Sequence, residues 1–315
     1  MSDESKTMVY AALAGNVLVA ASKFIAAAIS GSTAMFTEAI HSSTDCINQL
    51  LLLLGSWRSK KKPDRSHPFG YDGEIYFYAF VIAVIVLLAG GVFSLDQGIR
   101  HLLNPHTIEA PGTTFIVLAL STLFEGGSLF FGYRASRRFV ARHAGKGRQV
   151  STWRFIGLSK DPNMYETLLE DAAALVGIVL AAIGVAGSVF FQQLWMDATA
   201  SIAIGLLLIG NSIGIAIATR SLIAGEAVAP ALMGKIEAVL QRAGYSRSCG
   251  DLKSLHLGPN TILITLAIDP SEQPQDLPFH VFVDAVEREI KSVDERIAYV
   301  FFELRRKLSV DQLHQ

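Results

Sequence analysis

The sequence predicts an α-helical membrane protein: six transmembrane helices followed by a small α+β domain with the element order αββαβ. Three observations carry this. Only 17% of the 315 residues are charged, where a soluble globular chain carries about 25%. Hydrophobic residues make up 51% and the mean hydropathy is positive. Six stretches reach the roughly 20 mostly apolar residues that cross a bilayer, and after residue 225 the pattern turns to amphipathic and alternating segments too short and polar to do so.

The first span runs over roughly 8–30, MVYAALAGNVLVAASKFIAAAIS, and the second over roughly 33–56, which contains FTEAIHSSTDCINQLLLLLG. The third, roughly 76–100, centres on FVIAVIVLLAGGVF. The fourth is roughly 113–133, the fifth roughly 164–188, and the sixth roughly 194–219. VAPALMGKIEAVLQRAG then reads as an amphipathic helix. DLKSLHLG and TILITLAID read as strands joined at GPN, FHVFVDAVEREIKSV as a second helix and RIAYVFFELR as a third strand. The expected division is a membrane domain over 1–222 and a C-terminal domain over 223–315.

Orientation follows from basic residues in short loops. Arg58, Lys60, Lys61, Lys62 and Arg65 lie between the second and third spans. Arg134, Arg137, Arg138, Arg142, Lys146, Arg148 and Arg154 lie between the fourth and fifth. The loops SGST and FFQQLW carry none. This alternation puts the even-numbered loops, both termini and the C-terminal domain in the cytoplasm. The acidic, polar start MSDESKT has no cationic segment ahead of an apolar core, so no cleaved signal peptide is expected. With no transit-peptide pattern either, a bacterial inner membrane is the expected location. Cys46 and Cys249 form no CxxC pair, which argues against a disulfide scaffold. The net charge of −1 gives no sign of a nucleic-acid partner.

Several spans carry polar groups. In the second, His41 and Asp45 are four apart and share a helix face, with Glu38 about one turn before and Asn48 about one turn after. In the fifth, Thr167 and Asp171 share a face, as do Glu166 and Glu170. The first span adds Asn16 and Lys23, and the fourth Glu125. An ionisable group at membrane depth costs at least about 2.5–3.5 kcal/mol and ordinarily faces a cavity or a partner. Lys23, near a span end, is expected to reach the interface by snorkelling, and Glu166 to sit at the inner end of its helix. For Asn16 and Asn48, interhelical hydrogen bonds compete with a role in an ion path.

His41 with Asp45, answered by Asp171 on another helix, is how a bundle builds a metal site. Imidazole and carboxylate suit Zn²⁺ and also iron, cobalt, nickel or manganese. Binding needs a neutral imidazole and ionised carboxylates, so protons and metal compete for one site. That competition is a coupling mechanism for exchange.

SGSTAMFTEAIHSSTDCINQ around the second span and HPFGYDGEIYFYAF entering the third resemble the cation diffusion facilitator family, over about residues 8 to 305. The resemblance implies a homodimeric exporter, contacting through a ferredoxin-like cytoplasmic domain. It would move Zn²⁺ or a related divalent ion (Mn²⁺, Fe²⁺, Co²⁺, Cd²⁺) out of the cytoplasm against protons, with no prosthetic group. It also implies a transport site at His41, Asp45, Thr167 and Asp171. The usual fifth-span motif begins with histidine or aspartate, and this chain has Thr167, a poor zinc ligand. LLED in the fifth span, Asp161-Pro162 upstream and Glu125 in the fourth look like a distinct branch that includes a mitochondrial zinc exporter of animals. There Glu170 is the candidate to supply the missing carboxylate, although adjacent helix positions differ by about 100° in direction; water is another. The expected order of importance is Asp171, Glu170, Thr167. Glu38, Asn16, Asn48 and Glu125 are candidates for an ion path or proton relay. In the C-terminal domain the last strand offers only Glu303 where the family usually has histidine and aspartate, leaving His256 and His280 as candidate ligands.

The competing expectation is a membrane-bound metal sensor or accessory subunit, which the altered fifth-span motif keeps open. A membrane zinc hydrolase would use Glu38 or Glu170 as base, but nothing resembles HExxH, so no enzyme is expected. An organic-cation carrier would want aromatic residues around His41 and Asp171, and few are there.

Overall fold

The computed structural model describes residues 3–143, 162–245, 249–272 and 278–305. Lys146, Arg148, Arg154 and Asp161, part of the basic-loop and branch expectations, lie outside the described residues.

Six long helices come first: α1 Asp3–Ser30, α2 Thr33–Arg58, α3 Glu74–Leu103, α4 Pro111–His143, α5 Pro162–Phe190 and α6 Trp195–Ile223. Among the described residues, five carry a window long and apolar enough to cross a membrane: those at 13–30, 74–103, 111–134, 165–190 and 195–223. The sixth, α2, falls short because Glu38, His41, Asp45 and Asn48 interrupt its apolar run. Leu18, Leu123, Phe131 and Phe190 are exposed on the outside of these helices, where lipid accepts apolar surface at no cost. The chain is an integral, multi-pass membrane protein.

Contacts group the chain into two compact units. One comprises residues 1–57 and 75–220, the other 58–74 and 221–315. In the first, Ala26, Ala27, Ala34 and Met35 of α1 and α2 pack with Leu118 of α4, Ile178 and Ala181 of α5, and Ala200, Ile204 and Leu208 of α6. Small residues let these backbones approach closely where no hydrophobic effect drives helices together. The contact of α3 with α6 depends on it: a Cβ on Gly91 would lie 2.6 Å from Ile209 Cγ1, and one on Gly205 2.8 Å from Leu95 N. A π-helical turn, Val86–Val92, contains Gly91 and rotates the face of α3 at this crossing.

In the second unit, α7 Pro230–Arg242 and α8 Phe279–Val293 cover one face of a sheet formed by β1 Cys249–Gly258, β2 Thr261–Ile268 and β3 Ile297–Leu304. The central strand β2 pairs antiparallel with β1 and parallel with β3. Ile262, Ile264, Leu266 and Ile268 alternate into the core, where Phe282, Val286 and Ile290 meet them at helical spacing. The segment 58–74 belongs to this unit. Phe69 packs edge-on against Tyr299 at 5.2 Å and Phe301 at 6.1 Å. Asp72 Oδ2 accepts from Asn260 N at 2.9 Å, and Arg58 closes the segment on Glu74 with bonds of 2.5 and 3.0 Å.

Candidate functional site

Four helices of the first unit surround a cavity of about 70 Å³, room for an ion with a few waters. It is lined from α1 by Asn16, from α2 by Ser42, Asp45 and Gln49, from α4 by Glu125 and Ser128, and from α5 by Thr167, Glu170 and Asp171. The spacing explains the set. Residues 42, 45 and 49, and residues 167, 170, 171 and 174, each fall on one helix face. Glu170 and Asp171, adjacent in sequence, both reach the cavity; the longer glutamate side chain makes up for the difference in direction.

The polar groups are held from several sides. Asp171 Oδ2 accepts from Ser128 Oγ at 2.8 Å. Glu170 accepts a short bond from Asn48 Nδ2. Asn16 Nδ2 donates to Gln49 Oε1 at 3.2 Å. His41 is fully buried with Nδ1 3.5 Å from Asp45 Oδ1, but it stands beside the cavity lining rather than in it. Both His41 ring nitrogens, Asp45 Oδ1 and Asn48 Oδ1 have no hydrogen-bond partner among the described residues. Buried polar atoms in this state are rare and costly. Here they cluster around a space that admits a ligand.

One expectation from the sequence is corrected. Lys23 does not reach an interface: it is completely buried, donating to Glu38 Oε2 at 3.0 Å and Ser42 Oγ at 2.7 Å. A carboxylate on the neighbouring helix offers it a better partner than a distant headgroup. Glu38 is thereby an ion-pair partner, absent from the cavity lining. Glu166 is also completely buried, and neither carboxyl oxygen has a hydrogen-bond partner among the described residues. Ser128, Ser42 and Gln49 were not singled out in the sequence. The available signal was their spacing, three residues after Glu125, three before Asp45 and four after it.

Among the described residues no three His, Cys, Asp or Glu side chains converge tightly enough to form a ready metal cluster. An ion entering the cavity would have to draw the carboxylates inward. The C-terminal candidates are apart in the fold. His256 is buried on β1, its backbone N–H donating to Glu226 O at 3.1 Å. His280 is exposed in the first turn of α8, and Glu303 pairs with Arg305 at 2.7 Å.

Comparison with known proteins agrees with this architecture. Residues 9–224 match the family model for the cation efflux transmembrane domain. The chain is similar to the human mitochondrial proton-coupled zinc antiporter SLC30A9, 29% identical over 247 residues, which cover 78% of this chain and 43% of that protein. It is 28% identical over 265 residues to metal tolerance protein C4 of Arabidopsis thaliana, covering 84% and 57%. It is 22% identical over 300 residues to the manganese efflux system protein MneP of Bacillus subtilis, covering 94% and 95%. The chain thus spans less than half the length of the zinc antiporter it matches. A six-helix unit with carboxylates gathered between α2, α4 and α5, a C-terminal αββαβ unit, and a family match across the whole membrane part lead to one assignment: the chain belongs to the cation efflux, or cation diffusion facilitator, family.

Proposed function

We propose that this protein exports a divalent transition-metal cation, Zn²⁺ foremost, from the cytoplasm in exchange for protons. The observation that carries the reading is the cavity between four helices lined by Asp45, Glu125, Thr167, Glu170 and Asp171. Carboxylates and an adjacent imidazole, with no thiolate, bind a borderline divalent ion without the permanence of a cysteine site. Asp45 and Asp171 hold the ion, Glu170 contributes in place of the weak ligand Thr167, and His41 joins when the ion draws the side chains together. Each ligand must lose its proton to bind, so metal uptake and proton release are linked at one place. The names of the relatives support this reading, one being a proton-coupled zinc antiporter and another a manganese efflux protein.

In this reading the membrane domain comprises residues 1–222 and the domain over 223–315 lies in the cytoplasm, where it joins two copies into a homodimer. The basic residues between α2 and α3 support the orientation.

The test is flux into proteoliposomes of the purified protein under an imposed pH gradient, with Zn²⁺, Mn²⁺, Co²⁺ and Fe²⁺ in turn. Gradient-dependent flux of Zn²⁺ that Asp45→Ala and Asp171→Ala both abolish is the expected result. Metal binding with no flux for any ion would overturn it in favour of a membrane-bound sensor or accessory subunit.

A further inference from the structure

The ion pair of Lys23 and Glu38 has no place in the ligand set, yet it is built into the wall beside it. Both side chains are completely buried. Lys23 Nζ donates to Glu38 Oε2 at 3.0 Å and to Ser42 Oγ at 2.7 Å, and Ser42 lines the cavity. The ammonium therefore stands one hydroxyl away from the cavity wall. Glu38 Oε1 has no hydrogen-bond partner among the described residues. It lies against α5 at Gly177, where any Cβ would collide with it. Lys23 thus brings a positive charge from α1 into a wall shared by α2 and α5, one hydroxyl from the cavity that Asp45 and Glu125 also line.

A helix bundle does not accumulate a buried lysine by chance, because an ammonium is expensive at membrane depth without a partner. Hydrophobic residues of similar volume often replace a buried ion pair with no loss of stability. A completely buried pair at this depth therefore points to a use for the charge. The cavity presents Asp45, Glu125, Glu170 and Asp171 to a cation that must be released as well as bound.

We propose that Lys23 is a built-in counter-ion that sets how tightly the cavity holds its divalent cargo, and that its pairing with Glu38 keeps this fifth carboxylate out of the ligand set. The inference rests on the cavity being the cation site of the proposed function. Lys23 is a positioning residue, acting through Glu38 and Ser42 and through its field. Without Lys23, Glu38 becomes an uncompensated carboxylate beside the site: cation binding tightens and release slows. Without the Glu38 charge, the ammonium is uncompensated and binding weakens. Removing both returns the local charge to its original sum.

The experiment is calorimetric titration of the purified full-length protein with Zn²⁺ alone, paired with proteoliposome flux. Lys23→Met is expected to lower the Kd about ten-fold while reducing maximal flux, and Glu38→Gln to raise the Kd about ten-fold. The double variant K23M/E38Q should return to within about three-fold of the original Kd, and so should Lys23→Arg. A structural role alone would reduce folded protein without moving the two single variants in opposite directions. Should Lys23→Met fail to fold, Glu38→Gln against the double variant decides, since the second change must reverse the first. Single variants that shift Kd in the same direction, or not at all, overturn the inference. An unmutated protein that neither binds nor moves Zn²⁺ overturns the proposed function itself, a separate outcome read from the unmutated protein alone.

Discussion

Two polar layers lie inside the same helical unit, and they are built in opposite ways. At the end where α1 turns into α2, Asp197 of α6 is completely buried and both its oxygens are occupied. Oδ1 accepts from Ser32 Oγ at 2.5 Å, and Oδ2 from the backbone N–H groups of Thr33 at 2.7 Å and Ala34 at 3.3 Å. Thr33 Oγ1 meets His101 Nδ1 at 2.5 Å, and His106 Nε2 lies 2.7 Å from Gly31 O. This carboxylate caps the first turn of α2, whose N–H groups have no partner within the helix. Toward the middle of α2 the other layer leaves His41, Asp45 Oδ1, Asn48 Oδ1 and Glu38 Oε1 without hydrogen-bond partners among the described residues. A satisfied polar layer rigidifies a bundle; an unsatisfied one is costly until something fills it. The first is a staple, and the second is where the proposed function places the cargo.

This contrast makes the two layers separable by mutation. The largest effect falls on the cargo layer: Asp171→Asn should reduce Zn²⁺ flux more than about a hundred-fold while leaving the thermal unfolding midpoint equal or higher, because a half-buried carboxylate has been neutralised. Flux and unfolding measured on one preparation check it; a large loss of stability would make Asp171 part of the scaffold. Next is Asp197→Ala, which strips three donors of their acceptor and should destabilise the protein by about 3 kcal/mol. Flux per folded molecule should stay within about two-fold, and a selective loss of transport would erase the distinction between layers. Gly177→Ala tests the boundary of the cargo layer: its methyl group must displace Glu38, at a cost of about 1–3 kcal/mol. Unfolding measurements on Gly177→Ala and on G177A/E38A should show the double variant recovering part of that loss.

The smallest effect lies outside the membrane, in the segment 58–74. Bonds from Ser66, Tyr71, the His67 backbone and Lys61 hold the Asp64 carboxyl well below the usual carboxylate range. Its folded value lies below the unfolded one, so these bonds support the segment fully above about pH 4 and are lost as pH falls through the folded value. Asp64→Asn should therefore raise amide hydrogen exchange across 58–74 at pH 7, and the difference from the unmutated protein should shrink on acidification. An unchanged exchange rate at pH 7 would mean that Phe69 and Asp72 alone fix the segment.

The sequence by itself determined the membrane class, the six helices and the αββαβ order. Apolar run length and alternation are local properties, and Ile262, Ile264, Leu266 and Ile268 announce their strand without reference to anything else. It also singled out Asp45, Thr167, Glu170 and Asp171, because polar residues at helical spacing stand out against lipid-facing neighbours. What surrounds them was decided only by tertiary structure. Ser128 lies 43 positions from Asp171 in the chain, and no local pattern links the two. Lys23 near the end of a span fits snorkelling until α2 brings Glu38 and Ser42 to its ammonium. The segment 58–74 reads as a basic loop between helices, and only the folded sheet supplies the Tyr299 and Phe301 rings that gather it into the C-terminal unit. Periodicity records which way a side chain faces along its own helix. Which partner it meets depends on helix crossings set by small residues such as Gly91, Gly177 and Gly205, and those crossings arise only when the whole bundle packs.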